Sequence, residues 1–200
     1  MLTSKKSAKK KIVIFASGSG TNAENIIKYF KESEKAEVEA VFSNKKGAKV
    51  LRKAHDHHVK ALFFDRDALY NSNKILNVLL DMKPDIIVLA GFLWIFPDTI
   101  LKEFPNKVIN LHPALLPKYG GKGMYGMNVH RAVLENKELE TGISIHFVNE
   151  KYDEGEIIFQ ATTPIDENDS AEEVAQKIHQ LEYEHFPKVI ENLLFPKKND

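Results

Sequence analysis

No cysteine occurs in the 200 residues. That excludes disulfides, thiolate metal sites and a cysteine nucleophile, and it fits a reducing cytoplasm. Net charge is missing as well, because 28 Lys and Arg balance 28 Asp and Glu. Without a global positive field, non-specific attraction to nucleic acid is not expected to be the main task. Long apolar runs are absent too. The longest, IIVLAGFLWIF at 86–96, is too short for a membrane span. The five residues IVIFA after the basic start are too few for the apolar core of a signal peptide. The expectation is a cytoplasmic protein with neither nucleic acid nor membrane as partner.

What is present is a hydrophobic fraction of 43%, enough for a folded chain with a real core. No repeat or low-complexity linker interrupts 11–194. The organisation expected is a basic tail over 1–10 and one domain over 11–195. KIVIFA (11–16), EVEAVFS (37–43), KALFF, PDIIVLA (84–90) and KVINL read as strands, introduced or rich in Ile, Val and Phe. Between them NAENIIKYFKES, GAKVLRKAHDH, NSNKILNVLLDM (71–82) and DTILKEF carry helical spacing. Alternation of this kind predicts an α/β fold, with a mainly parallel sheet and helices on both faces. The last third differs. TGISIHFVN (141–149) alternates as a half-buried strand, and GEIIFQATTPI (155–165) follows so closely that the two must pair antiparallel. A final helix is expected from Ser170 to about Leu194, kinked or divided at Pro187.

Two loops invite chemistry. GSGTNA (18–23) runs from a strand into a helix with G-x-G-x-x-A spacing, which lets backbone N–H groups face an anion at a helix N-terminus. The second strand ends in the neutral Ser43 and Asn44, where a dinucleotide fold needs an acid for the ribose, so a single phosphate suits the loop better. The bland alternative is a tight turn. NLHPALLP (110–117) leaves a strand and presents an amide and an imidazole. Residues 110 and 112 of a strand share a face, so Asn110 can stabilise an oxyanion while His112 handles a proton. A buried polar pair serving loop backbone is the equal alternative. Asp153 in YDEGEII supplies an acid or merely a turn, and His146 should look toward solvent or a cleft. HDHH (55–58) has poor metal spacing and reads as surface, Glu182 as one more exposed acid. His130-Arg131 is assigned no chemistry.

FASGSGTN, KPDIIVLAGF, NLHPALLPKY, HRAVLEN and SIHFVNEKYDEGEIIFQ, in this order, resemble the phosphoribosylglycinamide formyltransferases, folate-dependent enzymes of purine synthesis. The resemblance spans about 11–194. It implies a formyltransferase Rossmann-like sheet with a late antiparallel strand. It also implies transfer of a formyl group from 10-formyltetrahydrofolate to the primary amine of glycinamide ribonucleotide, without metal. Asn110, His112 and Asp153 are then expected as the catalytic trio, with Asp153 keeping His112 charged and His146 in support. Gly18, Ser19, Gly20, Thr21 and Asn22 are expected on the substrate phosphate and Glu182 on its glycinamide end. Leu93, Trp94, Ile95, Val148 and Arg66 are expected on the folate.

The stretch GGKGMYGMNVHR departs from the family's shorter loop and reads as a mobile lid or rim. Trp94 replaces an Arg common among relatives. A methionyl-tRNA formyltransferase is expected to carry a second basic domain, and a formyltetrahydrofolate deformylase a preceding regulatory one. Sugar-nucleotide formyltransferases remain the nearer alternative, and a catalytically inactive folate- or nucleotide-binding module the other. The chain is expected as a monomer or a homodimer.

Overall fold

The computed structural model describes residues 8–196. Seven strands form one sheet: β1 (Lys10–Phe15), β2 (Ala36–Ser43), β3 (Lys60–Phe63), β4 (Ile86–Leu89), β5 (Val108–His112), β6 (Glu140–Phe147) and β7 (Ile157–Pro164), in the order β3-β2-β1-β4-β5-β6-β7. The first five are mutually parallel, and β6 runs antiparallel to both of its neighbours. The helices are α1 (Thr21–Phe30), α2 (Lys49–Asp56), α3 (Arg66–Tyr70), α4 (Lys74–Met82), α5 (Asp98–Glu103), α6 (Met127–Glu135) and α7 (Ala171–Leu194). Of the expected basic tail, residues 1–7 lie outside the described residues, and Lys10 already opens β1. The sequence reading missed α3, one short turn capped by Asp65, whose carboxylate accepts from Ala68 N at 2.8 Å.

Burial explains why β1 reads as an unbroken apolar run. Ile12 and Ile14 pack with Ile26 and Phe30 of α1 and Val174 and Ile178 of α7. Val13 and Phe15 point the other way, to Leu79 of α4 and Ile100 of α5. Side chains alternate across a strand, so a strand covered on both faces has no polar position left.

Two expectations are corrected. The segment read as half-buried, β6, has buried residues from Thr141 through His146. One of its polar residues, Ser144, is enclosed because it pins a loop rather than meeting water: its Oγ accepts from Leu116 N at 2.9 Å and donates to Ala114 O at 2.7 Å. The final helix is not divided at Pro187 but continues through it. Proline lacks the N–H that would bond the carbonyl four residues earlier, here Tyr183. Asn25 Nδ2 of α1 donates to that carbonyl at 2.9 Å, which restores the lost partner from a neighbouring helix. At the other end a capping box closes α7, with Ser170 and Glu173 bonding each other's backbone N–H. Replacing Asn25 by Ala should cost about 1 kcal/mol, since the carbonyl is left to water. The expected drop of ~2–4 °C in melting temperature is read by thermal unfolding.

Candidate active site

The carboxyl ends of β1, β4 and β5 open onto one cleft of about 500 Å³. Ligand sites in open α/β sheets lie at that edge. Ser17 ties two of the loops together: its N–H donates to Gly91 O at 3.0 Å, and its Oγ accepts from Leu93 N at 3.0 Å. Gly18, Ser19, Gly20, Thr21 and Asn22 line one end of the cleft. Gly20 sits at φ +70°, and a Cβ there would stand 2.3 Å from Val50 Cγ2, so only glycine makes this turn against α2. No side chain caps α1, which leaves the N–H groups of its first turn open to an anion.

Register builds the centre. Asn110 on β5 pairs directly with His146 on β6, and His112 with Ser144. Asn110 Nδ2 lies 3.1 Å from His146 Nε2 and 3.4 Å from Asp153 Oδ1. His146 Nδ1 lies 2.8 Å from Phe147 O, which can only accept, so the proton is on Nδ1 and Nε2 accepts from Asn110. His112 Nε2 likewise donates to Tyr119 O at 2.7 Å, leaving Nδ1 facing Asp153 Oδ2 at 3.5 Å. Asp153 is held in a left-handed conformation, φ +56°, and also accepts from Gly121 N at 2.9 Å and faces His146 Nε2 at 3.6 Å. The segments 113–121 and 148–155 thus meet at this carboxylate.

The expectation that Asp153 keeps His112 charged is corrected. Burial pushes the His112 imidazole below its ordinary value and outweighs the pull of Asp153 and the Tyr119 carbonyl. Burial pushes the Asp153 carboxyl up, but the facing His146 and His112 rings and the Gly121 N–H together leave it below its ordinary value. The pair is therefore a neutral imidazole with a bare Nδ1 beside a carboxylate. A group whose folded pKa is depressed stabilises the fold above its unfolded pKa and stops doing so as pH falls through the folded one. His112 should thus contribute fully above about pH 6.5 and progressively less below it, and buried His130, lowered by desolvation, has the same sign. Melting temperature should fall from pH 7 to pH 5, less steeply in His112→Gln; equal slopes would contradict this.

The remaining expected residues divide. Leu93, Trp94, Ile95 and Val148 line the same cleft as an apolar wall. Arg66 does not line it. Its guanidinium stacks 5.0 Å from the Trp94 ring and 5.5 Å from Tyr70, beside an adjoining notch of about 390 Å³ that shares Leu93, Trp94 and Ile95. Glu182, read as an exposed acid, is 4% exposed and lines the cleft, its Oε2 accepting from Asn22 Nδ2 at 2.9 Å. His146, expected toward solvent or a cleft, takes the second course at 2% exposure. Lys122, His179 and His130 also line the cleft although sequence reading assigned them no chemical role, and His130 is buried with an unpartnered Nδ1. Nothing in sequence spacing marks them, since their helices and loop meet only in three dimensions. Among the described residues HDHH forms no metal-ligating group, and no helix is long and apolar enough to cross a membrane.

An amide, a buried imidazole and a carboxylate thus share one cleft with the uncapped start of α1 and an apolar wall. The chain belongs to the formyl transferase family, whose pattern matches residues 10–190. Within that family it is similar to phosphoribosylglycinamide formyltransferases. It is 37% identical over 186 residues to that of Escherichia coli, covering 90% of this chain and 84% of the relative. It is 35% identical over 189 residues to the chloroplastic one of Arabidopsis thaliana, covering 91% of this chain but 64% of the relative. The crystal structure of glycinamide ribonucleotide transformylase 1 from Geobacillus kaustophilus superimposes with a TM-score of 0.85 at 32% identity, over 94% of this chain and 100% of that one. The mixed sheet with its single reversed strand is the fold of these enzymes.

Proposed function

We propose that this chain transfers a formyl group from 10-formyltetrahydrofolate to the primary amine of glycinamide ribonucleotide, a step of purine synthesis in the cytoplasm. The observation that carries this reading is convergence: Asn110, His112 and Asp153 line one cleft together with the open N-terminus of α1 and the apolar wall of Leu93, Trp94, Ile95 and Val148. The donor fits the residues present. An apolar wall suits a flat ring, and Arg66 on Trp94 offers a cation beside it for the carboxylates of a folate tail. The folate supplies the formyl group on its N10. Glycinamide ribonucleotide fits the other end, its phosphate on the backbone of residues 18–22 and its glycinamide end at Glu182.

The acceptor amine attacks the formyl carbon, and negative charge develops on the formyl oxygen. Asn110 donates to that oxygen, a contribution of about 2.7–4 kcal/mol for one well-placed donor. The attacking nitrogen must then lose a proton and N10 must gain one. His112 Nδ1 is bare and faces Asp153 at 3.5 Å, so a proton placed between them satisfies both. Receiving it, His112 becomes cationic just as the oxyanion forms, and Asp153 stabilises that cation. His146 fixes Asn110 and Asp153 by facing both.

The test is absorbance-monitored loss of 10-formyltetrahydrofolate with and without glycinamide ribonucleotide. Turnover only with the ribonucleotide is expected. Turnover without it would make the chain a deformylase. Folate binding without turnover in either case would point to another acceptor, such as an amino sugar nucleotide, or to an inactive module.

A further inference from the structure

His112 has one ring proton to place and two acceptors beside it. Tyr119 O stands 2.7 Å from Nε2 on one side, and Asp153 Oδ2 stands 3.5 Å from Nδ1 on the other. A neutral imidazole donates from one nitrogen only, so the two acceptors compete for the same proton. With the proton on Nε2, Nδ1 is bare and can receive another. With the proton on Nδ1, the ring hydrogen-bonds the carboxylate and the base facing it is gone. The proton-accepting role of His112 therefore depends on the Tyr119 carbonyl staying in place.

That place is a strained one. Tyr119 sits at φ +56°, a left-handed conformation that a residue other than glycine keeps only when its surroundings enforce it. The enforcing contacts lie behind the cleft, which neither Tyr119 nor Glu138 lines. Tyr119 Oη donates to Glu138 Oε1 at 2.9 Å, and Lys118 Nζ donates to the same oxygen at 2.8 Å. The tyrosine ring packs against Ala114, Val129 and Val133. Glu138 is itself fixed between α6 and β6. Its N–H donates to Val133 O at 3.3 Å, and Ile165 N donates to the neighbouring Leu139 O at 3.0 Å. Lys118 and the phenol hold the Glu138 carboxyl below its usual range, while burial and that carboxylate push the phenol up. Donor and acceptor thus keep the protonation states their hydrogen bond needs throughout the neutral range.

We propose that Tyr119 and Glu138 are positioning residues for the reaction: their side-chain hydrogen bond holds the carbonyl that keeps His112 in its Nε2–H tautomer. Without that bond the carbonyl withdraws, and the ring proton moves from Nε2 to Nδ1, toward Asp153. The ring remains neutral and buried, but its Nδ1 is no longer free to accept. The kinetic consequence rests on the formyl-transfer reading, whereas the tautomer itself does not.

Imidazole nitrogen NMR of the full chain at neutral pH reads the tautomer directly, with His112→Gln identifying the signals of this ring. Values of kcat and of KM for glycinamide ribonucleotide and the folate are measured beside it. The wild type should show the Nε2–H form alone. Tyr119→Phe removes only the phenol oxygen and should shift both ring nitrogens toward the Nδ1–H form. Its kcat should fall ~10-fold with both KM values little changed, less than the ~10²-fold cost of an ångström of misplacement. The loss is limited because Ser144 still holds Leu116 N and Asp153 still holds Gly121 N. Glu138→Ala should act alike and the double variant no worse, since all three break one bond. Glu138→Gln, whose amide oxygen still accepts from the phenol, should recover most of the loss. Unchanged ring signals in Tyr119→Phe would overturn the proposal, whatever its kcat. So would a loss in Glu138→Gln as large as that in Glu138→Ala. Absence of transfer in the wild type would instead overturn the reading of the reaction, and the ring signals would still decide the tautomer.

Discussion

Replacing Asp153 with Asn is expected to lower kcat by ~10²–10⁴-fold while leaving acceptor and folate binding nearly unchanged. The substitution keeps the size of the side chain and an oxygen for the Gly121 N–H, which it now receives at 2.9 Å. It removes the negative charge facing His112 Nδ1 at 3.5 Å and His146 Nε2 at 3.6 Å. His112, already pushed toward its neutral form by burial, then loses the negative charge that the proposed mechanism uses to stabilise its cation. Truncating His112 to Ala should cost a similar factor, and the double variant little more, because the two act as one unit. Single-turnover formyl transfer, with binding measured separately by calorimetry, is the readout. Near-wild-type rates in either single variant would remove the pair from the mechanism.

The second large effect is structural. A Cβ on Gly155 would stand 1.6 Å from Phe147 O and 3.3 Å from His146 Nδ1. Backbone oxygen cannot rotate away, so Gly155→Ala must displace the 148–155 connection from the end of β6. The Phe147 N–H to Glu156 O hydrogen bond, 2.9 Å, goes with it. We expect destabilisation of roughly 3 kcal/mol, at the upper end of overpacking costs. For a chain of this size that corresponds to a fall of ~6–12 °C in melting temperature. Because the same connection carries Asp153, activity should fall further than stability alone explains, and this would show at temperatures where the variant is still folded. Retention of both would mean that the turn can be re-formed elsewhere.

These two positions show where local pattern stops being informative. A D-x-G turn looks ordinary on paper, and Asp153 alone reads as a turn acid as readily as a catalytic one. Its glycine is demanded by a carbonyl eight residues earlier, across a turn whose path is set by β6 pairing with β7. His146 was legible as a polar residue on an alternating strand, but its partner was not. Antiparallel register places it opposite Asn110, and register depends on the whole hairpin. Pro187 was legible as a helix breaker, a local truth that a distant amide overrules. Asn25 lies 158 residues from the carbonyl it rescues.

Composition, periodicity and the order of motifs were enough to determine an α/β chain without thiol chemistry, the strands of its sheet, the glycine turn into α1, and the shared face of Asn110 and His112. All of these follow from constraints within a few residues, where side-chain alternation and backbone conformation decide. Tertiary structure alone decided that β6 is buried, that His112 rests neutral beside Asp153, that Glu182 is enclosed with His179 upon it, and that His130 enters the cleft. The reason is electrostatic as much as geometric: a protonation state depends on what water can reach, and that is set by loops and helices far apart in the chain.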